Sequence, residues 1–208
     1  MRLLILLSLL FMTAACSLPQ AKAPAMTTYR LGVPTLAPPS SGSPRPLTLV
    51  VDLGYVAPEI QGQGIVIQQG DLRQDEVAGA RWPAPLPAYV KQQLIRGFVD
   101  GGGLRMVDDA PVAGAVNYRL RITILDFQIV EDAAGKPPRA HVRIQAVLQR
   151  LDEVAPHSET AIGAEALVPA EARRMSAIIS AFDKAFAEVA ERIAQATFSA
   201  LPAELPSR

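Results

Sequence analysis

Few side chains of this chain have the types and spacing that catalysis or metal binding would require. The two histidines are His141, on the polar side of a strand pattern, and His157, in a loop pattern. Neither lies near a cysteine or a patterned set of carboxylates, as a metal site would need. Asp108-Asp109 and Asp152-Glu153 are adjacent acids in turn-like sequence, where side chains diverge and do not suit paired-carboxylate catalysis. We therefore predict no catalytic residue and no metal ligand.

The glycine-rich stretches lack the residues that bind nucleotides. Gln61-Gly62-Gln63-Gly64 and Gly101-Gly102-Gly103 have no partner lysine of a phosphate-binding loop, and both patterns are typical of turns. No Gly-x-Ser-x-Gly nucleophile elbow is present. The formal net charge is zero, so there is no basic surplus of the kind that drives nucleic-acid binding. The sequence predicts a protein that is not an enzyme, needs no cofactor and does not bind nucleic acid.

The N-terminus carries the strongest functional signal. Arg2 precedes an apolar run from Leu3 to Met12. As a helix, this run is about 15 Å long, whereas a membrane span needs roughly twenty residues. The run stops at the small residues Thr13-Ala14-Ala15, directly before Cys16. This order is typical of a cleaved secretion signal, which we place at residues 1–15.

Cys16 is the one cysteine of the chain, so no intramolecular disulfide is open to it. The segment resembles a bacterial lipobox, in which the peptide is cut before the cysteine and both its thiol and its new amino group are acylated. Each buried methylene contributes about 0.8 kcal/mol, so two or three chains would anchor the protein durably. The alternative is a plain secreted protein with an incidental free cysteine. We predict that Cys16 is the lipidation site.

The next segment has the composition of a tether. Residues 16–46 are rich in proline, serine, alanine and glycine, and about thirty such residues at roughly 3.1 Å each would reach up to about 90 Å from the anchor. Within them, Thr27 to Leu31 is more strand-like and could add an edge strand. Residues 47–201 have the length of a single domain.

Alternating apolar residues predict the strands of this domain. Short strands are expected at Leu47–Leu53, Ile65–Gln69 and Leu104–Val107, and a longer antiparallel meander at Tyr118–Ile129, His141–Gln149 and Ile162–Val168. Beyond Ile124 the apolar positions change from even to odd numbers. Because a slip of one residue inverts every side chain, we predict a bulge near Leu125.

Two amphipathic helices complete the pattern. Apolar residues at helical spacing predict a helix from about Leu86 to Val99, which the glycine triplet ends, and a longer one from about Ala172 to Ala200. The apolar side of each helix must pack on another element. The simplest fold that meets this need is α+β, with a mainly antiparallel sheet and two amphipathic helices packed on one face.

Arg81 and Trp82, directly before the first helix, are the candidate contact for a partner protein. Tryptophan and arginine are the residue types most often found to dominate a protein interface. The alternative is that Trp82 packs under the helix entrance and contributes only to folding.

The order of these features resembles the ABC-type transport auxiliary lipoprotein family, the group that includes PqiC. The resemblance runs from about Tyr29 to Ala200. It is carried by the lipobox, the strand with Ile65-Val66-Ile67, the Arg81-Trp82 helix entrance, and the Ala-Phe-Asp-Lys-Ala run at residues 181–185.

This resemblance implies a non-enzymatic, periplasm-facing accessory of an ABC transporter. Such transporters typically have a component with an MCE domain and move phospholipids or other apolar molecules between two membranes. Ser17 follows the cysteine where an inner-membrane lipoprotein would have Asp, which by the enteric sorting rule favours the outer membrane over the inner one. Two alternatives stay open: an outer-membrane assembly lipoprotein that partners a β-barrel, and an enzyme whose site would include Asp108 or His141.

Overall fold

The structure is a computed structural model, and it describes residues 25–38, 43–70, 73–109, 117–131, 136–151 and 159–202. Within these residues it contains strands, two α-helices and a 3₁₀ turn at Pro58–Ile60. In chain order the main elements are β1 (Thr27–Thr28), β2 (Arg45–Val56), β3 (Gly64–Gln69), β4 (Arg73–Arg81), α1 (Leu86–Gly101), β5 (Leu104–Asp108), β6 (Tyr118–Glu131), β7 (Arg139–Arg150), β8 (Glu159–Pro169) and α2 (Met175–Ala200).

All these strands belong to one sheet, which is organised around β6. With 14 residues, β6 is long enough to pair in parallel with β2 beside its first half and with β3 beside its second half. On its other side β6 pairs antiparallel with β7, and β7 pairs antiparallel with β8. Strand β5 lies beyond β2, while β4 and then β1 lie beyond β3. The antiparallel meander and the α+β class are confirmed, and the parallel pairings make the sheet mixed.

The predicted bulge in β6 is confirmed. The pairing of β6 with β7 shifts between Ile124 and Asp126, so that Leu125 is the extra residue. The shift lets the apolar positions change parity without leaving the core, since Ile122 before it and Phe127 after it are both fully buried. An extra residue in one strand is the usual way to re-aim side chains in a sheet.

Both helices lie close to their predicted positions. The backbone N–H of Leu86, the first residue of α1, donates to the carbonyl oxygen of Gly62 at 2.9 Å and so caps the helix without a side chain. The helix ends at Gly102, whose φ of 65° lies in the left-handed region that favours glycine. Helix α2 begins at Met175, three residues after the predicted start, because Arg174 has extended backbone angles. Of the helices in the described ranges, none is long and apolar enough to cross a membrane.

The two helices pack side by side on one face of the sheet, as predicted. The rings of Phe98 in α1 and Phe198 in α2 lie 5.8 Å apart, so the helices contact each other. Beneath them, strand residues of one parity such as Leu120 and Val142 are fully buried and join the helices in one apolar cluster. Arg121 points from the opposite face and is exposed. We call this opposite side of the sheet, on which no helix of the described residues lies, the open face.

Strand β4 is an element that the alternation of apolar residues does not indicate. Most of its side chains are polar and exposed, and among the described residues it pairs with β3 and with the two residues of β1. Its pairing with β3 is interrupted between Glu76 and Arg81, a segment in which Gly79 has a φ of 73°. Pairing of β1 with β4 confirms the edge strand that the Thr27 to Leu31 pattern suggested.

Candidate functional site

The candidate contact residues Arg81 and Trp82 lie where β4 ends and the chain turns into α1. Consecutive residues of an extended chain point in opposite directions. Arg81 is exposed, and its Nε donates to Thr28 Oγ1 in β1 at 3.2 Å. Trp82 points the other way and has 0% of its surface exposed. The two side chains therefore do not form one surface patch.

Trp82 lies in an aromatic cluster between the sheet and both helices. Its ring is 5.5 Å from that of Phe182 and 5.7 Å from that of Phe127, both edge to face, and 6.3 Å from that of Tyr89. Edge-to-face pairs of this kind stabilise a core beyond the area that they bury. The indole Nε1 is buried and finds no hydrogen-bond partner among the described residues. The interpretation of Trp82 as an exposed partner contact is wrong, because its large apolar ring fills the core.

The backbone at the helix entrance explains why Trp82 points inward. Its N–H donates to the carbonyl oxygen of Gln63 at 2.8 Å, one residue along from the Gly62 carbonyl that caps α1. The turn that precedes β3 thus accepts two hydrogen bonds from the residues that lead into α1. This confirms that the Gly-Gln stretch is a turn with a structural role.

Residues 29–37, which we call the strap, lie along α1. The N–H of Leu31 donates to the Tyr89 hydroxyl at 2.8 Å, and Gln93 Nε2 donates to the carbonyl oxygens of Leu31 and Gly32, each at 3.1 Å. Tyr89, Gln93 and Leu31 are all buried. Buried amide and hydroxyl groups are costly unless they are paired, so these contacts tie the strap to the helix.

The far end of the strap fits against two glycines of α1. A Cβ at Gly97 would lie 2.5 Å from the Pro34 carbonyl oxygen, and one at Gly101 would overlap the carbonyl of Leu36. Only glycine lets the backbones approach so closely. The prediction of an extended tether as far as Pro46 is therefore wrong for the strap, whose hydrogen bonds and buried leucines make it part of the domain. Nothing in its proline-rich composition indicates this packing.

Replacing Tyr89 with Phe should loosen the strap. The change leaves the buried N–H of Leu31 without its acceptor, and an unpaired buried donor costs about 1–3 kcal/mol. We expect the Leu31 amide to exchange with solvent roughly 5- to 150-fold faster, since each 1.4 kcal/mol is a factor of ten. Hydrogen exchange followed by NMR measures this rate. Tyr55→Phe, at a site that is 61% exposed, is the matched control and should leave the exchange unchanged.

Because of Tyr89, the stability of the packed strap should decrease at alkaline pH. Burial raises the pKa of Tyr89 above its ordinary value of 10.0, and the hydrogen bond from Leu31 only partly offsets this. Because the neutral phenol is favoured in the folded protein, its contribution to stability is complete below pH 10 and is lost as the pH rises through the raised pKa. The Tyr89→Phe protein should not show this loss of stability at alkaline pH. An identical alkaline decline in both proteins would contradict the assignment.

On the open face, polar contacts link three strands. His141 Nε2 in β7 lies 2.7 Å from Glu165 Oε1 in β8, and Arg143 Nε donates to Asp126 Oδ2 in β6 at 2.5 Å. His141 Nδ1 is 3.9 Å from the other oxygen of Asp126. In the part of the chain that the structure describes, no three His, Cys, Asp or Glu side chains are placed to hold a metal ion. The contacts cross-link neighbouring strands, and sequence spacing alone does not indicate them.

Asp108 and His141, the residues of the enzymatic alternative, do not share a site. Asp108 ends β5 and His141 lies in β7, and both β2 and β6 run between these strands. Adjacent strands are about 4.8 Å apart, which separates the two strand axes by roughly 14 Å. No reacting group could contact both side chains at once.

Two shallow depressions on the surface are open to solvent. One, of about 360 Å³, lies at the end of α2 and is lined by residues such as Tyr118, Arg150, Thr160 and Leu201. The other, of about 450 Å³, lies beside Arg81 and is lined by residues such as Met26, Gln63, Glu76 and Val77. Arg81 therefore borders a concave surface even though Trp82 does not.

One family model matches most of the chain, and two solved structures have a similar fold. The family model described as the ABC-type transport auxiliary lipoprotein component matches residues 29–194. A protein from Xanthomonas campestris has a similar fold, with a TM-score of 0.66 at 19% identity over 83% of this chain and 95% of that one. A further crystal structure of an uncharacterised protein has a TM-score of 0.58 at 14% identity, with 83% and 97% of the two chains covered. No curated protein matches the chain in sequence.

The family model begins at the first residue of the strap and continues into α2, so it spans every strand of the sheet except the two residues of β1. The strap is therefore part of the family's domain and not of the tether before it. The chain belongs to the family of ABC-type transport auxiliary lipoproteins.

Proposed function

We propose that the protein is a lipid-anchored, periplasm-facing accessory of an ABC transport system with an MCE-type component, which assists the movement of phospholipid or another apolar substrate between two membranes. The observation that carries this proposal is the family match over residues 29–194, which covers the strap, the sheet and most of α2.

Cys16 lies outside the described residues, and its lipidation stays a prediction. If it is the anchor, the chain from Cys16 to Ala25 spans at most about 30 Å when fully extended, at roughly 3.3–3.6 Å per residue. This is about a third of the reach that an unpacked tether to Pro46 would allow. The domain is then held close to the membrane, and a partner must approach it there. Ser17 after the cysteine favours the outer membrane.

Anchoring at Cys16 would attach the domain to the membrane through the edge of the sheet that carries β1. The described chain enters the fold at β1, which pairs with β4 next to Arg81. This edge of the sheet is therefore the tethered one, and Arg81 with its neighbouring depression stays a candidate contact on that side. Strand β8 lies at the far side of β6, beyond β7. Five strand spacings of about 4.8 Å place it roughly 24 Å from the tethered edge.

Affinity purification of the tagged full-length protein from detergent-solubilised membranes of its own cells tests this function. We expect the ATPase, the permease and the MCE-type protein of one ABC system to co-purify in fixed ratio. A protein with its signal cysteine changed, Cys16→Ala, should recover much less of them, because it is no longer held at the membrane. Recovery of an outer-membrane β-barrel, with no ABC component, would contradict the proposal and favour the assembly alternative.

A further inference from the structure

Strand β8 is a long edge strand, and its hydrogen-bonding direction follows from the pairs around it. The N–H of Ala170 donates to the carbonyl oxygen of Pro138 at 2.8 Å, so at this end the even-numbered residues bond to β7. Backbone groups alternate in direction along a strand. The odd-numbered residues of β8 therefore point their N–H and C=O groups away from β7, towards the outside of the sheet.

One of these outward groups is capped within the chain, and the cap confirms the direction. Arg192 in α2 reaches around the edge, and its guanidinium donates to the carbonyl oxygen of Glu165 at 2.8 Å. In the described ranges, no other bond reaches the outward backbone groups of Ala161 and Gly163. Both residues are exposed, and a Cβ at Gly163 would meet nothing within 4 Å. Among the described residues, the outward backbone groups in the first half of β8 are thus available to pair with another strand.

Proteins normally protect such an edge. The usual devices are a lysine or proline in the strand, a bulge, or a covering element. Residues 159–164 contain neither lysine nor proline, and their pairing with β7 runs without a register shift. Residues with exposed backbone, small side chains and an unbroken register are suited to pairing with another chain.

The spacing of the free groups defines the shape of the occupant. Backbone donors and acceptors that recur at every second residue, about 6.8 Å apart, match the backbone of another extended strand. The edge lies on the opposite side of the sheet from β1, five strand spacings away.

Charge distinguishes a foreign strand from a second copy of β8. The edge carries the carboxylates of Glu159 and Glu165, and Glu188 of α2 lies beside it in an ion pair with Arg192. Glu165 contacts His141 Nε2 at 2.7 Å, so Glu159 is the acid of residues 159–164 that faces an incoming strand. Pairing two copies of β8 would add a second set of acids to the same edge, and like charges across strands are destabilising. A strand with basic residues complements the edge instead.

We infer that the first half of β8, residues 159–164, binds an extended, basic strand of the transporter partner, which joins the sheet as an additional strand. The inference rests on the proposed function and names the element through which the partner would bind. Main-chain hydrogen bonds supply the affinity, and Glu159 favours a lysine or arginine beside it on the incoming strand.

Two substitutions at one position test the pairing. Gly163→Pro removes an outward N–H and places a ring in the path of the incoming strand, without removing a bond to β7. Gly163→Ala keeps the N–H, and its methyl group has open space. In the affinity purification described above, the Pro variant should recover the MCE-type component at least about tenfold less than wild type, and the Ala variant within about twofold of it. Circular dichroism and the unfolding midpoint show that the variants are folded.

A charge variant tests the same edge even if the proline disrupts folding. Glu159→Lys leaves the backbone intact and should weaken recovery of the partner by about two- to fivefold, which is the size of a cross-strand charge repulsion. Wild-type recovery by both Gly163→Pro and Glu159→Lys would overturn the strand addition while leaving the proposed function intact. If wild type itself recovers no MCE-type component, the proposed function fails and the inference with it. Self-association of the purified full-length protein that Gly163→Pro abolishes would identify a second copy as the occupant and overturn the basic strand.

Discussion

Phe182→Ala is expected to lower the free energy of unfolding by about 3–5 kcal/mol, because it truncates a fully buried aromatic ring. Phe182 is 0% exposed, stacks on Phe127 at 5.3 Å and meets the edge of Trp82 at 5.5 Å. These three rings join α2, β6 and the entrance to α1. A domain of this size has a total stability of about 5–15 kcal/mol, so the loss removes a large share of it. Chemical denaturation followed by tryptophan fluorescence measures the change directly.

The matched control is Val99→Ala on the exposed side of α1. Val99 is 55% exposed, so its truncation should change the stability by no more than about 0.5 kcal/mol. If Phe182→Ala and Val99→Ala had equal small effects, the aromatic cluster would not be the centre of the core. The apolar side of α2 would then have to be accessible to solvent.

Cys16→Ala is expected to abolish lipidation and to leave the signal segment uncut, because the cut before Cys16 and the acylation both need the cysteine. If two or three acyl chains form the anchor, their loss removes a large binding free energy, since each buried methylene contributes about 0.8 kcal/mol. Metabolic labelling with palmitate measures the loss of lipid, and the mass of the protein on a gel shows whether the signal is still attached. Ser17→Ala keeps the cysteine and should be labelled and attached like wild type. Palmitate incorporation that persists in Cys16→Ala would contradict the lipidation site.

The sequence predicts best those elements whose apolar residues face one common core. The change of parity after Ile124 predicts the bulge at Leu125, because each half of β6 must present its apolar side chains to the helices. The stripe of α2 is predicted for the same reason. Strand β4 has few core residues, so its pairing depends on backbone hydrogen bonds that leave no pattern of side chains.

The candidate site is less predictable than the fold, because exposure is decided by tertiary packing. Arg81 and Trp82 are adjacent in sequence, but the hydrogen bond from Trp82 to Gln63 turns the indole into the core. The strap has the composition of a linker, and it is ordered by Tyr89 and Gln93, which are about sixty residues away along the chain. Sequence patterns report local periodicity, so contacts of this range leave no signal in them.

Sequence patterns also do not show which strands lie at the edges of the sheet. The strand pattern of Ile162 to Val168 predicts β8 but does not reveal that β8 pairs with one strand among the described residues, or that Arg192 caps one of its outward carbonyl groups. Both facts depend on the order of strands and on the path of α2. The open edge of β8 therefore becomes visible only in the three-dimensional structure.

The most direct test of the proposed function is the rate at which labelled phospholipid moves between the two membranes of living cells. We predict that cells lacking this protein transfer phospholipid as slowly as cells lacking the ATPase of the same transport system, and that losing both slows transfer no further. Wild-type protein should restore the rate, whereas Cys16→Ala should not, because the proposed function requires a lipid anchor at this cysteine. An unchanged rate in cells that lack the protein, while loss of the ATPase still slows transfer, would contradict its role as an accessory of this transport.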